Sequence, residues 1–140
     1  MKVCVNGKDD NEAWGVNRYG MVYTFTNGNW KQMIGGWLNQ ITCGEAGVWG
    51  INPQGNLYRY GNGWYWGWSQ VPTAGKTFKW ISSGLNEEVW AVDVNDRVYK
   101  RSGQKWKEVP GKKMRQVDVF DGTVWGVDGN NHIWFRSTSE

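Results

Sequence analysis

Val48-Trp49-Gly50-Ile51-Asn52 is the stretch that decides the fold of this 140-residue chain, because versions of it occur three more times. The other copies are Ala13-Trp14-Gly15-Val16-Asn17, Val89-Trp90-Ala91-Val92-Asp93 and Val124-Trp125-Gly126-Val127-Asp128. Another aromatic residue lies nine positions after the tryptophan of each copy, in the pairs Trp14/Tyr23, Trp49/Tyr58, Trp90/Tyr99 and Trp125/Trp134. A spacing that is kept four times identifies a repeat protein.

The composition favours a single all-β domain. The chain has 12 Trp, 6 Tyr and 4 Phe beside 20 Gly and 3 Pro, and aromatic segments between glycine turns are typical of short β-strands. A chain of 140 residues buries a sizeable core as one domain. We therefore treat residues 1–140 as one domain, built of repeats that cover approximately 2–36, 37–75, 76–111 and 112–140.

Each repeat predicts four short strands, called a to d. Strand a precedes the tryptophan unit, strand b is the unit itself, and strand c carries the second aromatic residue after a turn rich in Gly, Asn and Asp. Strand d begins with a third tryptophan, at Trp30, Trp68 and Trp106. Four antiparallel strands of this length form a β-propeller blade, and stacking the blades covers the two apolar faces of each one. The sequence therefore predicts a small all-β propeller of about four blades.

The fourth repeat has no counterpart of strand d, because only Ser137 to Glu140 follow its strand c. Two interpretations stay open. One is a four-bladed propeller whose last blade is short at its outer edge, and the other is an incomplete ring that another chain completes. An exposed strand edge is something that proteins guard or use for association. A homo-oligomer is therefore one of the expected states.

Val89 to Gly111 carries the clearest family resemblance. This stretch holds a tryptophan unit, then Val98-Tyr99-Lys100-Arg101-Ser102-Gly103, then Trp106-Lys107-Glu108-Val109-Pro110-Gly111, and Gln40-Ile41-Thr42-Cys43-Gly44 supplies the last piece of the pattern. Over essentially its whole length the chain resembles the tectonin family of β-propeller proteins, which includes fish-egg lectins and related innate-immune lectins. The resemblance implies a lectin with glycan sites between adjacent blades, for bacterial lipopolysaccharide or cell-surface sugars.

The aromatic residues that depart from the repeat template are the candidate ligand contacts, since the regular tryptophans recur too evenly to be anything but blade packing. Sugars present apolar C–H faces that stack on exposed rings, beside hydroxyls that need polar partners. The aromatic candidates are Trp37, Trp64, Tyr65, Trp66 and Trp80. The resemblance adds polar partners at the end of strand b and on strand c, namely Asn17, Asn52, Asp93, Asp128, Arg59, Arg101 and Arg136.

Catalysis is not expected. His132 is the only histidine in the sequence, which leaves neither a histidine cluster for a metal nor a Ser-His-Asp arrangement with a spare histidine. The carboxylate pairs Asp9/Asp10 and Glu87/Glu88 fall in the turns between strands a and b, whereas glycosidases hold such a pair rigidly on two sides of a sugar. We expect no enzyme activity, no cofactor and no metal site. The alternative to a lectin is a non-catalytic protein-interaction scaffold or a self-assembling propeller.

Charge and hydropathy argue against two kinds of partner. The formal net charge is +3, from 16 basic and 13 acidic residues scattered along the chain, so the basic stripe that nucleic acid needs is missing. No apolar run is long enough for a membrane helix. The stretch Met1 to Gly7 lacks the pattern of a signal peptide, so a secreted and a cytosolic location both stay open.

The two cysteines lie one position apart in the repeat alignment. Strand a reads Val3-Cys4-Val5 in the first repeat and Ile41-Thr42-Cys43 in the second. Successive residues of a strand point to opposite faces of the sheet. The alignment therefore predicts two free, partly buried thiols rather than a disulfide.

Overall fold

The computed structural model describes residues 2–5, 13–61 and 67–139, which form four antiparallel sheets. Blade 1 consists of β1 (Lys2–Val5), β2 (Ala13–Val16), β3 (Met21–Thr26) and β4 (Asn29–Trp37). Blade 2 consists of β5 (Gln40–Gly44), β6 (Gly47–Ile51), β7 (Leu57–Tyr60) and β8 (Trp68–Val71). Blade 3 consists of β9 (Phe78–Ser83), β10 (Val89–Asp93), β11 (Val98–Ser102) and β12 (Lys105–Glu108). Blade 4 consists of β13 (Gln116–Phe120), β14 (Thr123–Val127) and β15 (Ile133–Ser137).

Every sheet follows the order of the chain, so strand a lies at one edge and the last strand at the other. Blade 1 has the order β1-β2-β3-β4, and blades 2 and 3 repeat this meander. Within the described residues, blade 4 ends at strand c, with the order β13-β14-β15. The structure thus confirms the predicted all-β propeller of four blades with an incomplete last blade.

The turn between strands b and c has the same backbone in every blade. Its fourth residue adopts a left-handed conformation, with φ of 84°, 82°, 66° and 64° at Gly20, Gly55, Asp96 and Asn131. Gly, Asn and Asp are the residues that accept a positive φ most readily. This requirement explains why the sequence alternates among these three residue types at the one position.

Strand b defines two faces on every blade, because successive side chains of a strand point to opposite sides. We call the side of the strand-b tryptophans the Trp face; these are Trp14, Trp49, Trp90 and Trp125. We call the side of the next residue the Gly face; these residues are Gly15, Gly50, Ala91 and Gly126. Strand a follows the same alternation, since Cys4 pairs with Trp14 and Thr42 pairs with Trp49.

The Trp face of each blade packs on the Gly face of the next one. Three buried apolar clusters result, one for each successive pair of blades. Trp49, for example, is 1% exposed and belongs to one cluster with Phe78 and Trp106 of blade 3. Burying a tryptophan side chain contributes about 4–6 kcal/mol at the usual value per unit of apolar area. Among the described residues, none of the three clusters joins blade 4 to blade 1.

Strand a of all four blades faces one central channel of about 710 Å³. The residues Lys2, Gln40, Trp80 and Gln116 occupy equivalent positions on its wall. The described part of the chain contains no helix with the length and apolarity that crossing a bilayer takes.

Cys4 and Cys43 form a disulfide, with their Cα atoms 5.7 Å apart, so the prediction of two free thiols was wrong. The two side chains do point to opposite faces of their own sheets. Cys4 pairs with Trp14 and lies on the Trp face of blade 1, whereas Cys43 pairs with Val48 and lies on the Gly face of blade 2. Because these are the two faces that pack together, the opposite orientation brings the sulfur atoms into contact.

Gly44 tests how closely neighbouring blades approach each other near the channel. A Cβ atom on Gly44 would lie 2.5 Å from the backbone oxygen of Ser83 in blade 3. We expect Gly44→Ala to lower the free energy of unfolding by about 1–3 kcal/mol, measured by urea denaturation, because backbone has little room to move. Gly129→Ala is the control, since a Cβ there meets nothing closer than 3.8 Å. An equal loss in both variants would contradict this account of the packing.

Candidate functional site

The residue that follows Val or Ile at the end of the tryptophan unit closes the turn to strand c. Its Oδ1 atom accepts hydrogen bonds from the backbone N–H groups two and four positions further on, as in an Asx turn. At Asp128 these donors are Asn130 at 2.8 Å and His132 at 2.9 Å. The same two bonds form at Asn17, Asn52 and Asp93. Each of these four predicted ligand contacts therefore has one oxygen engaged in its own turn.

The second polar atom of this side chain meets the second aromatic residue of the repeat in three blades. The bonds are Asn52 Nδ2 to the Tyr58 hydroxyl at 3.4 Å, the Tyr99 hydroxyl to Asp93 Oδ2 at 3.3 Å, and Trp134 Nε1 to Asp128 Oδ2 at 2.9 Å. The nine-residue spacing seen in the sequence thus places an aromatic hydrogen-bonding group against the turn. A ligand contact by these residues stays a prediction.

Asp128 is held in its ionised form. The hydrogen bond from Trp134, the two backbone bonds and the neighbouring His132 hold the pKa of this carboxyl well below its usual range, although burial opposes them. The Nδ1 atom of His132 lies 3.5 Å from Asp128 Oδ2, and the imidazole is exposed. Within residues 2–5, 13–61 and 67–139, no group of His, Cys, Asp and Glu side chains is arranged to hold a metal ion.

Arg59 and Arg101 both pack on the ring of Trp49. Their Cζ atoms lie 5.1 Å and 4.6 Å from the centroid of that ring, and Arg59 also donates to the backbone oxygen of Ala46 at 3.2 Å. Burial, followed by the charge of Arg59, lowers the pKa of Arg101, while Glu87 raises it. The two predicted glycan contacts are thus part of the packing between blades 2 and 3, through cation–π interactions.

Arg136 lines a cavity of about 160 Å³ between blades 3 and 4, together with Trp90 and Trp134. At the other two contacts between blades, a strand-d tryptophan packs against the strand-b tryptophan of the preceding blade, namely Trp68 in blade 2 and Trp106 in blade 3. Trp80 lies on strand a, where its indole N–H donates to the backbone oxygen of Val117 at 2.8 Å and its ring lines the central channel. The other predicted aromatic contacts, Trp64, Tyr65 and Trp66, lie outside the described residues.

Trp37 is the predicted contact that the structure places most openly in a groove. It is the last residue of β4, and 62% of its surface is exposed. The groove, of about 590 Å³, runs between blades 1 and 2 at the end of the propeller that carries the turns between strands b and c. We call it the Trp37 groove; its lining includes Asn17, Arg18, Tyr19, Trp37, Asn39 and Pro53.

Tyr19 is the second exposed ring in the Trp37 groove, with 60% of its surface exposed. The guanidinium of Arg18 lies over it, with Cζ 4.8 Å from the ring centroid. Sequence reasoning did not select Tyr19. The equivalent turn residues are Gln54, Asn95 and Asn130, and the residues equivalent to Trp37 are Thr77 and Lys113. Blade 1 therefore carries an aromatic residue both in the turn between strands b and c and at the end of β4, whereas the equivalent residues of the other blades are not aromatic.

Four meander sheets that stack through their faces around one channel define a β-propeller. The structure is similar to yeast RCC1 (Prp20), solved in complex with Kap60, with a TM-score of 0.71 at 10% identity over 96% of this chain and 42% of that one. It is also similar to the computationally designed Ika4 protein, with a TM-score of 0.65 at 8% identity over 97% of this chain and 89% of that one. At such identities the likeness concerns the fold alone.

Within this class, the chain belongs to the tectonin family. The family model of the Tectonin domain matches residues 3–76 and 77–140. Tectonin-1 of Physarum polycephalum is 33% identical over 54 residues, which make up 39% of this chain and 24% of that protein. The match thus covers about a quarter of Tectonin-1, and this chain covers less than half of RCC1.

Replacing Asp128 tests the pairing between the turn residue and the second aromatic residue. Asp128→Asn places an amide donor against the indole N–H of Trp134, which can only donate. In Asp93→Asn the hydroxyl of Tyr99 can accept a hydrogen bond instead, as Tyr58 does from Asn52. We therefore expect thermal denaturation to show a clearly larger loss of stability for Asp128→Asn than for Asp93→Asn.

The pH dependence of the Asp128→Asn variant follows from the lowered pKa. A carboxyl with a depressed pKa in the folded state stabilises the fold above its unfolded pKa of about 3.9 and loses that contribution as the pH falls further. The difference in unfolding free energy between the wild type and Asp128→Asn is therefore expected to be largest near neutral pH and to shrink in acid. A difference that stays constant from pH 7 to pH 3 would contradict this assignment.

Proposed function

We propose that this chain is a carbohydrate-binding lectin and that the Trp37 groove is a glycan site. The observation that carries the proposal is the presence of two exposed rings, Trp37 and Tyr19, in one groove between adjacent blades. Exposed aromatic side chains gathered on a soluble domain mark binding surfaces. Membership of the tectonin family supports this assignment, because that family includes fish-egg lectins and related innate-immune lectins.

The groove has the chemical parts that sugar recognition needs. The rings of Trp37 and Tyr19 offer flat apolar surfaces to the C–H faces of a pyranose. Arg18 and Asn39 supply hydrogen-bonding groups on the wall of the same groove, where polar groups fix the orientation of a ligand. Such a site binds without catalysis, so the proposed activity is recognition alone.

The basic residues of the groove favour an acidic glycan. Lys2 and Arg18 line it, as does Lys79, whose ammonium is ion-paired with Asp96. Positive charge in a groove attracts anionic ligands over several ångströms. Bacterial lipopolysaccharide and acidic cell-surface sugars are both anionic. The disulfide between Cys4 and Cys43 supports the same setting, since disulfides persist in the oxidising compartments where proteins meet such surfaces. A role in innate immunity is consistent with that ligand class.

Trp37→Ala tests the proposal on an array of neutral and acidic glycans, followed by titration calorimetry with the best ligand. Loss of the stacking ring is expected to weaken binding about tenfold or more, because a well-placed ring contributes on the order of 1–2 kcal/mol. Trp37→Tyr keeps an aromatic surface and should retain much of the affinity.

Val94→Ala is the matched control for the lectin test. Val94 is an exposed apolar residue, 55% of whose surface is accessible, in the equivalent turn of blade 3, and its replacement should leave the affinity unchanged. A flat response to every glycan by the folded wild-type protein would refute the lectin assignment. Equal binding by the wild type and Trp37→Ala would place the glycan elsewhere.

A further inference from the structure

We propose that two copies of this chain close head to tail into one ring of eight blades, four from each copy. In this ring the Trp face of blade 4 packs on the Gly face of blade 1 of the second copy, and the same contact forms again on the other side. The inference does not rest on the glycan site. It rests on four observations about the two faces that the three internal clusters leave uncovered.

The Trp face of blade 4 is exposed where its equivalents are buried. Trp125 has 50% of its surface exposed, whereas the other three strand-b tryptophans have 1–7%. Ile133 is 70% exposed, whereas the equivalent Val22, Leu57 and Val98 are 0–7% exposed. Phe135 stacks on Trp125 at 4.8 Å between centroids and is itself mostly exposed. This face is therefore an apolar packing surface without its partner in the described chain.

The Gly face of blade 1 is the second uncovered apolar face, and it is the kind of face on which a Trp face packs. Val3 is 53% exposed, whereas the equivalent Ile41, Ile81 and Val117 are 0–4% exposed. Val5 and Trp30 are also exposed, at 66% and 44%. In the internal contacts, residues at these positions receive the Trp face of the preceding blade. The two open faces are thus the two different halves of a contact that the chain already makes three times.

The polar groups at the two open faces match as well. At the contact between blades 2 and 3, Gln40 bonds the backbone of Ile81, accepting from its N–H at 2.7 Å and donating to its oxygen at 2.6 Å. Thr42 accepts from the N–H of Ser83 at 3.1 Å. By register, Gln116 and Asp118 of blade 4 stand at the positions of Gln40 and Thr42, and Val3 and Val5 stand at those of Ile81 and Ser83. Gln116 and Asp118 can therefore accept from the Val3 and Val5 N–H groups of a second copy.

A pair of tryptophans completes the match. Edge-to-face contacts join Trp14 to Trp68 at 6.0 Å and Trp49 to Trp106 at 6.4 Å, in each case from strand b of one blade to strand d of the next. Within the described chain Trp90 lacks such a contact because blade 4 has no strand d. Trp125 on strand b and Trp30 on strand d lack it because each lies on an open face. Ring closure places Trp30 of the second copy against Trp125.

A second copy fits these faces because the contact is heterologous, and such contacts close into rings when the rotation per unit divides a full turn. The four blades superpose on 42% of the longer RCC1 chain, so two copies supply about one full turn of blades. Closure makes the contact twice at once, and the second contact then forms at high effective concentration. Both apolar faces of each copy are covered as a result.

The existing disulfide shows how to trap this contact covalently. Cys4 on the Trp face of blade 1 is bridged to Cys43 on the Gly face of blade 2. The same two register positions at the open faces are Asp118 and Val5. We expect the double variant Asp118→Cys/Val5→Cys to run as a dimer on a non-reducing gel and as a monomer after reduction. Light scattering of the wild type should give twice the chain mass of 16.1 kDa.

Single-cysteine variants show whether the bridge joins two different positions on two copies. Asp118→Cys alone should give no covalent dimer, whereas an equimolar mixture with Val5→Cys chains should give one, because the bridge joins two different positions. Trp125→Arg should give a folded monomer, since Trp125 is half exposed within one chain. A bridge formed inside one chain, a wild-type monomer, or a ladder of larger covalent species would each overturn the closed dimer. Trp37→Ala should keep the dimer mass, so that loss of glycan binding and loss of assembly are read separately.

Discussion

The stacking of one strand-b tryptophan on the Gly face of the next blade is the interaction on which the rest of the structure depends. Trp49 shows why it is stable: its ring lies edge-on to Trp106, two guanidinium groups cover it, and its N–H donates to the Ala46 oxygen at 3.0 Å. The one polar atom of the buried Trp49 side chain is therefore satisfied. The residue that follows it on strand b is small, which leaves room on the Gly face for the side chains that pack there from the preceding blade. At Gly50 a Cβ would lie 2.4 Å from Leu38.

The same repeat that builds the scaffold limits where a ligand can bind. Residues that keep the template are engaged in turns or in packing between blades, as Asp93 and Arg101 show. Groups that remain open are found where one blade departs from the others. The paired rings of Trp37 and Tyr19 occur on blade 1, and the space without strand d occurs on blade 4. A repeat of this kind therefore gives one fold and several unequal surfaces.

The order of strands and the short fourth blade could be predicted from the sequence, because each depends on spacing within one repeat. Trp37 was selected by comparing repeats, since it stands at the position of Lys113 in the third one. The disulfide could not, since alternation describes a single sheet and the bridge joins two stacked sheets. The stacking of Arg59 and Arg101 on Trp49 was missed for the same reason. A guanidinium on strand c meets a ring that belongs to its own blade or to the preceding one, and spacing does not distinguish these cases. Tyr19 does not stand out in the sequence, because the pair of residues that follows the tryptophan unit differs in every repeat and sets no template there.

The disulfide has a consequence for how the chain comes apart. In repeat proteins the terminal units contact one neighbour instead of two, so they open first and opening spreads inward. Blade 1 is such a unit, but the bond from Cys4 to Cys43 ties it to blade 2. Once two copies have separated, fraying of the single chain should therefore begin at blade 4 in an oxidising medium, whereas in a reducing one both ends are free to open. The redox state of the surroundings thus sets the direction in which this propeller unravels.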